Sequence, residues 1–404
     1  MNHTDNTITY SRKRIAAAAA LTAAFAGNAS AVDIAGFEFN GYSRGGPVLS
    51  YSDKVKGGLT LGGELQKYRL GNEGDNGIEF DLARTFDVSG MKFKVDYMPS
   101  KWNGAPVGTE QAYVEVGGLS FAPEAKFWAG QRRLRIQDVH IVDYFLMTYG
   151  DYQGGGVTDL PLGGAKLGLG VFSGDKFDAS LPAGVKATRL NADVSEIQTN
   201  PGGKLRVLVT LVHGSGLANG NTGSGLSLLH NQADFLVPGL KNSLFLQTSR
   251  GHARIDGQFE GIDGVAAGRK AHRIADSIAW QHGPFGGQAL IGYQTSQDEA
   301  TGATTKDFSL GGRISYALSR NFKMLVEAAT TNRKTEANPD QSLNKLTIAP
   351  TLALSEDFFS RPELRFYLTK GNWNAAAAVA NAATFGAGGK TSRTIAGIQY
   401  EVWW

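Results

Sequence analysis

Asp138, His140 and Asp143 lie within six residues of one another. Histidine with carboxylates is a common metal-ligand set. Three ligands without a further cluster fall short of a closed site. The simpler expectation is that they pin their segment in place by hydrogen bonds. The chain has 7 histidines and many serines, but no nucleophile motif such as G-x-S-x-G stands at a strand-to-helix turn. The residues therefore offer no catalytic set, no metal site and no cofactor site.

A longer series of charged side chains recurs at alternate positions opposite apolar ones. It comprises Arg44, Glu79, Asp81, Arg313, Lys323, Glu327, Lys345, Arg361, Glu363, Arg365, Arg393 and Glu401. The elements that carry them have a period of two. Phe308, Leu310, Ile314, Tyr316 and Leu318 share one face, and Ser309, Arg313, Ser315 and Ala317 the other. Phe322, Met324, Val326 and Ala328 alternate with Lys323, Leu325 and Glu327; Leu346, Ile348, Pro350, Leu352 and Leu354 alternate with Lys345, Thr347, Ala349 and Thr351. Helices would show spacings of three and four. These strands run to about 10 residues, the length a tilted membrane strand needs.

Short turns are expected near Ser89-Gly90, Pro123, Pro161-Leu162, Pro201-Gly202, Gly239, Pro284, Arg320-Asn321 and Asp357. Polar, Gly-rich stretches lie between them, such as His213 to Ser227, Gly251 to Lys270 and Asn332 to Asn344. Asn374 to Ala383 reads as a loop with at most a helical turn. Eight short turns with both chain ends on one side give nine hairpins. The expected fold is an all-β, 18-stranded antiparallel transmembrane barrel with short periplasmic turns and long extracellular loops. Closure leaves no unpaired edge in lipid. Such a barrel is wide enough for water, and the charged series should face inward. Its mixed signs suit a neutral, hydroxyl-rich solute better than an ion of one sign.

The N-terminus reads as an export signal. Arg12, Lys13 and Arg14 precede the short apolar run Ile15 to Ala26, and Ala29-Ser30-Ala31 offers a cleavage site. Residues 1–31 are expected to be removed, leaving one barrel domain over 32–404. The lost segment carries three basic residues and one acid, so the net charge falls from +3 to +1. That balance argues against a nucleic-acid partner. There is no cysteine, so disulfides do not stabilise the exported chain.

Several segments resemble the maltoporin family of sugar-specific porins. They are Phe39-Asn40-Gly41-Tyr42-Ser43-Arg44; Lys67-Tyr68-Arg69-Leu70-Gly71-Asn72-Glu73; Trp128-Ala129-Gly130-Gln131-Arg132 with Asp138-Val139-His140-Ile141-Val142-Asp143; Asn200-Pro201-Gly202-Gly203; Ser360-Arg361-Pro362; and Glu401-Val402-Trp403-Trp404. The resemblance implies a homotrimer in the outer membrane of a Gram-negative bacterium. It also implies an inward-folded third loop and a channel for malto-oligosaccharides along aromatic side chains beside a polar track. Tyr42, Trp102, Phe359 and Trp403 match aromatic positions. Trp102 would lie in the second outer loop and reach the neighbouring subunit's channel. Phe145 stands where the family has a tyrosine at the narrowest point, Leu240 at a further aromatic position, and Gly77 where another aromatic is expected. Arg44, Arg69, Glu79, Asp138 and Asp143 match the polar track, with Arg132 in the strand leading to the third loop. Glu110 and Ile136 replace two arginines of the constriction. A wider or less selective pore is the expected consequence, and a general-diffusion porin is the alternative reading. An adhesin or receptor using the loops fits the barrel but not the interior charges.

Parity separates the last two residues. Ile398, Tyr400, Val402 and Trp404 share the apolar face; Arg393, Gln399, Glu401 and Trp403 share the other. Trp404 should meet lipid and serve the barrel-assembly machinery, while Trp403 should face the lumen.

Overall fold

A computed structural model describes residues 32–34, 36–50, 58–336, 338–386 and 388–404. The expected export signal lies outside the described residues. One sheet of twenty strands contains all the strand pairings, each antiparallel. Two strands of three residues, Val32–Ile34 and Val48–Ser50, are additions to it. The other eighteen close a ring, as expected. Closure occurs at strand Phe37–Gly45. It pairs with Ser392–Trp403 through Tyr42↔Trp403 and with Gly77–Val88 through Tyr42↔Glu79.

The alternation in the sequence is the inside–outside alternation of the wall. On strand Thr304–Ser319, Leu310 and Ile314 are 46% and 42% exposed on the outer face, while Arg313 between them is 1% exposed. Eleven of the twelve charged residues expected inside are buried, and Asp81 is half-buried. They neutralise one another: Glu327 accepts from Arg313 and Lys345, and Arg365 is paired with both Glu363 and Glu401.

Seven of the expected short turns fall between strands; the one placed at Pro161-Leu162 lies at Gly163-Gly164 instead. Gly163 has φ +62°, a conformation glycine supplies without strain. Two expected loops are shorter than the sequence implied. His213 to Ser227 is mostly strand, leaving residues 216–221, and Asn332 to Asn344 is the end of a hairpin between Phe322–Thr335 and Asn338–Ala353. Polar residues at a strand's outer end lie beyond the lipid and need no apolar partner face, so they resemble loop. The stretch from Asn374 holds two short helices, Ala375–Ala380 and Ala382–Phe385. The Asn374 side chain caps the first by accepting from the Ala377 amide at 2.9 Å.

Three segments fold into the barrel rather than one. The third loop does so at the turn His140–Val142. Residues 58–76 also enter: Leu59, Leu61, Leu65, Tyr68 and Leu70 are almost fully buried. Burying each leucine is worth about 2 kcal/mol, enough to draw a polar loop out of water. Backbone groups are satisfied on the way in. Glu327 accepts from the Leu70 amide at 3.0 Å, and Lys345 Nζ donates to the Leu70 carbonyl at 3.0 Å. The Arg69 amide donates to the Ile141 carbonyl at 2.9 Å, joining the first loop to the third. Residues 252–268 form the third insert, where the Thr148 amide donates to the Asp256 carbonyl at 2.9 Å.

Candidate functional site

The inserts leave a cavity of about 670 Å³ against one side of the wall. Five aromatic residues line it: Tyr42, Trp102, Phe145, Phe359 and Trp403. Strand register orders them. Tyr42 faces Trp403 on one neighbouring strand and Glu79 on the other. One step towards the outer loops, Arg44 faces Glu401 and Gly77, and Gly77 faces Trp102. Trp102 and Tyr42 stack at 6.2 Å with 28° between their planes, and the Arg44 guanidinium lies 5.0 Å over the Trp102 ring. At the periplasmic end His140 meets Phe359 and Trp403 edge-on at 5.9 and 5.8 Å. Arg361 packs over Trp403 at 4.3 Å.

A lattice of charge runs beside these rings. Arg44 pairs with Glu73 at 2.7 Å, Asp75 at 2.7 Å and Asp143 at 2.9 Å. Lys67 joins Asp143 at 2.7 Å. Arg69 pairs with Glu401 at 2.6 Å and donates to the Tyr42 hydroxyl at 2.9 Å. Tyr42 in turn donates to Glu401 at 2.9 Å. Burial alone would raise the Asp143 carboxyl, but Arg69, Lys67 and Arg44 outweigh it and hold it below the ordinary carboxylate range. Burial pushes the His140 imidazole well below its usual value, and Arg69 and Arg361 reinforce the shift. A neutral imidazole accepts through one nitrogen. The shorter contact, Arg361 to Nε2 at 2.9 Å against Arg69 to Nδ1 at 3.3 Å, assigns that role to Nε2.

Asp138, His140 and Asp143 all line the cavity, but the partners of His140 and Asp143 are cations of the wall and first loop. Among the described residues no group of three or more His, Cys, Asp or Glu is arranged to hold a metal ion. Of the matched polar residues, Arg44, Arg69, Glu79, Asp138 and Asp143 line the cavity. Glu110 and Arg132 do not. Glu110 is held by Ser100 at 2.7 Å and by Arg133, and Arg132 pairs with Glu115 at 2.8 Å beside Tyr113 and Trp128.

Leu240 is also absent from the lining. It opens strand Leu240–Gly251 with the parity of Leu246 and Thr248, which are exposed on the outer wall, and pairs with Trp280. Parity counted along that strand excludes it from the lumen. Trp102 departs from expectation too. It is the last residue of strand Met91–Trp102 rather than a loop residue, and its ring lies in this chain's own cavity. The cause is Gly77 opposite, whose missing side chain leaves the space that the indole occupies.

Arg135 was not anticipated. Its neighbour Ile136 packs into the apolar cluster, while Arg135 enters the cavity and lies 4.7 Å over the Phe145 ring. It makes no ion pair among the described residues. Arg133, two residues earlier, is clamped by Glu79 at 2.8 Å and by Glu110. Arg135, next to Ile136 in the chain, thus brings one guanidinium into the cavity. A register bulge between Arg133 and Arg135 sets their directions, and alternation alone could not reveal it.

A family model described as LamB porin matches residues 37–404. Two maltoporins of Vibrio cholerae serotype O1 are each 28% identical over 433 aligned residues, covering 96% of this chain and 98% of theirs. Among solved structures, a BenF-like porin from Pseudomonas fluorescens Pf-5 has a TM-score of 0.51 at 9% identity, covering 91% of this chain and 97% of that one. Pseudomonas aeruginosa OccK2 (OpdF) has a TM-score of 0.51 at 10% identity with the same coverage. These two share the barrel fold. With a match that runs from the first ring strand to the final residue, the chain belongs to the LamB porin family and is an outer-membrane porin.

Proposed function

We propose that this porin passes malto-oligosaccharides or related oligosaccharides by facilitated diffusion, as a homotrimer whose subunits each carry a channel. The supporting observation is the side-by-side arrangement of Trp102, Tyr42, Trp403 and Phe359 with Arg44, Arg69 and Glu79 in one cavity. A pyranose ring has an apolar face that lies on an aromatic ring. Its hydroxyl rim both donates and accepts, and charged groups bind it strongly. Shallow successive sites let the sugar advance, since conduction needs binding that is easily undone. Mature chains would begin at Val32 after loss of residues 1–31. The porin family indicates a channel rather than an enzyme.

Liposome swelling tests this reading. Maltose and maltotriose should enter faster than sucrose or cellobiose of comparable size. Entry sorted by size alone would instead identify a general-diffusion porin.

A further inference from the structure

A groove of about 380 Å³ lies on the outer wall, away from the channel. It spans strands Gly203–Ser215, Thr222–Gln232, Leu240–Gly251 and Arg269–His282. The short turns 201–202, 233–239 and 283–284 join these strands to their neighbours at the periplasmic end. The opposite end is therefore extracellular. Arg250, Thr248, Lys270, His272 and Ser224 line the groove at that end. Ser224 faces Arg250 across one strand pair, and Thr248 faces His272 across the next. All five share outward parity with Leu246 and Ile274, which are 43% and 51% exposed just towards the membrane centre.

The cations of this groove are uncommitted. Arg250 Nε donates to Ser224 Oγ at 3.2 Å, and Thr248 Oγ1 meets His272 Nδ1 at 3.0 Å. Neither Arg250 nor Lys270 has a carboxylate partner among the described residues. The inner wall behaves differently, with nearly every buried cation paired. Two free cations on a lipid-facing wall, above exposed leucine and isoleucine, match an amphiphile with an anionic head. Arginine and lysine at the headgroup level bind phosphate, and the apolar strip below accepts acyl chains.

We propose that the groove docks a phosphorylated glycolipid of the outer leaflet. Its phosphate would sit between Arg250 and Lys270, and its chains along Leu226, Leu246 and Ile274. The site is independent of the sugar channel.

Delipidated, assembled protein would be titrated in detergent with a bis-phosphorylated diglucosamine lipid, its dephosphorylated form, or inorganic phosphate, and bound lipid counted by native mass spectrometry. The phosphorylated lipid should bind at one per barrel and at least tenfold more tightly than the dephosphorylated one. Excess inorganic phosphate should not displace it. The double variant Arg250→Ser/Lys270→Ser should lose at least tenfold in affinity. Thr248→Trp, which fills the groove and keeps both charges, should lose it as well and covers the case in which the double variant fails to assemble. Equal binding of both lipids, displacement by phosphate, or unchanged binding in an assembled variant would overturn the proposal. So would efficient disulfide cross-linking of Thr248→Cys between subunits, which would make the groove a protein–protein interface.

Discussion

The indole of Trp102 lies across Gly77, its paired residue on the next strand, so closely that a Cβ there would stand 2.0 Å from the ring. An aromatic side chain was expected at position 77. The structure supplies the ring from the neighbouring strand, where it stacks on Tyr42 under Arg44.

Trp102→Ala should therefore raise single-channel conductance and weaken block by maltotriose about fivefold, since an aromatic contact is worth about 1 kcal/mol. Gly77→Ala should weaken it too, by pushing the indole aside while the barrel still assembles. Unchanged block in assembled Gly77→Ala would show that this packing does not hold Trp102 in the sugar path.

The final tryptophans should separate by function. Trp403 lines the cavity, whereas Trp404 sits outside Gly41 between Phe39 and Phe80 at 5.5 and 6.0 Å. Trp403→Ala should leave trimer yield nearly intact and weaken sugar block by about 1 kcal/mol. Trp404→Ala should lower the amount of assembled barrel, read as heat-modified mobility on gels, while surviving channels bind sugar normally. Swapped phenotypes would mean that the register of the last strand is wrong.

At Phe145 the ring sits beneath the Arg135 guanidinium. Phe145→Tyr should narrow the channel slightly and tighten malto-oligosaccharide block. Phe145→Ala should raise conductance and loosen block. If neither variant moves either quantity, the third loop does not form the constriction.

Alternation carried most of the wall, because a residue's side of a membrane strand is set by parity and lipid tolerates few charges. Lys323, Glu327 and Lys345 were legible for that reason. Positions beyond regular pairing were not. The bulge near Arg135 and the inward path of residues 58–76 depend on contacts with distant strands. Leu59, Leu61, Leu65 and Leu70 were the available signal for the latter: a loop bound for solvent has little use for four leucines. The expected wider or less selective pore rested on Gly77, Glu110 and Ile136 taken singly. Trp102 fills the space beside Gly77, and Arg135, next to Ile136 in the chain, lines the cavity.

Acid should loosen the third loop in two stages. His140 is held neutral in the docked loop but takes up a proton at about pH 6.5 when released. Its folded value is the lower one, so docking is strongest above pH 6.5 and weakens as pH falls below it. Asp143 is also depressed, and its contribution is present above about pH 4 and lost as pH falls further. Spontaneous channel closures should thus increase between pH 6.5 and 5, and again below 4. His140→Gln should remove the first increase and keep the second. A flat record from pH 8 to 5 in the unmodified protein would contradict the docked, neutral histidine.

The most direct test is titration of ion current through the reconstituted porin in planar bilayers, using a maltodextrin series with sucrose and cellobiose as comparisons. Saturable block by maltodextrins, stronger for longer chains and weaker for the other two sugars, is the predicted result. Ohmic current that none of the sugars blocks would contradict the assignment of the aromatic-lined cavity as a sugar path.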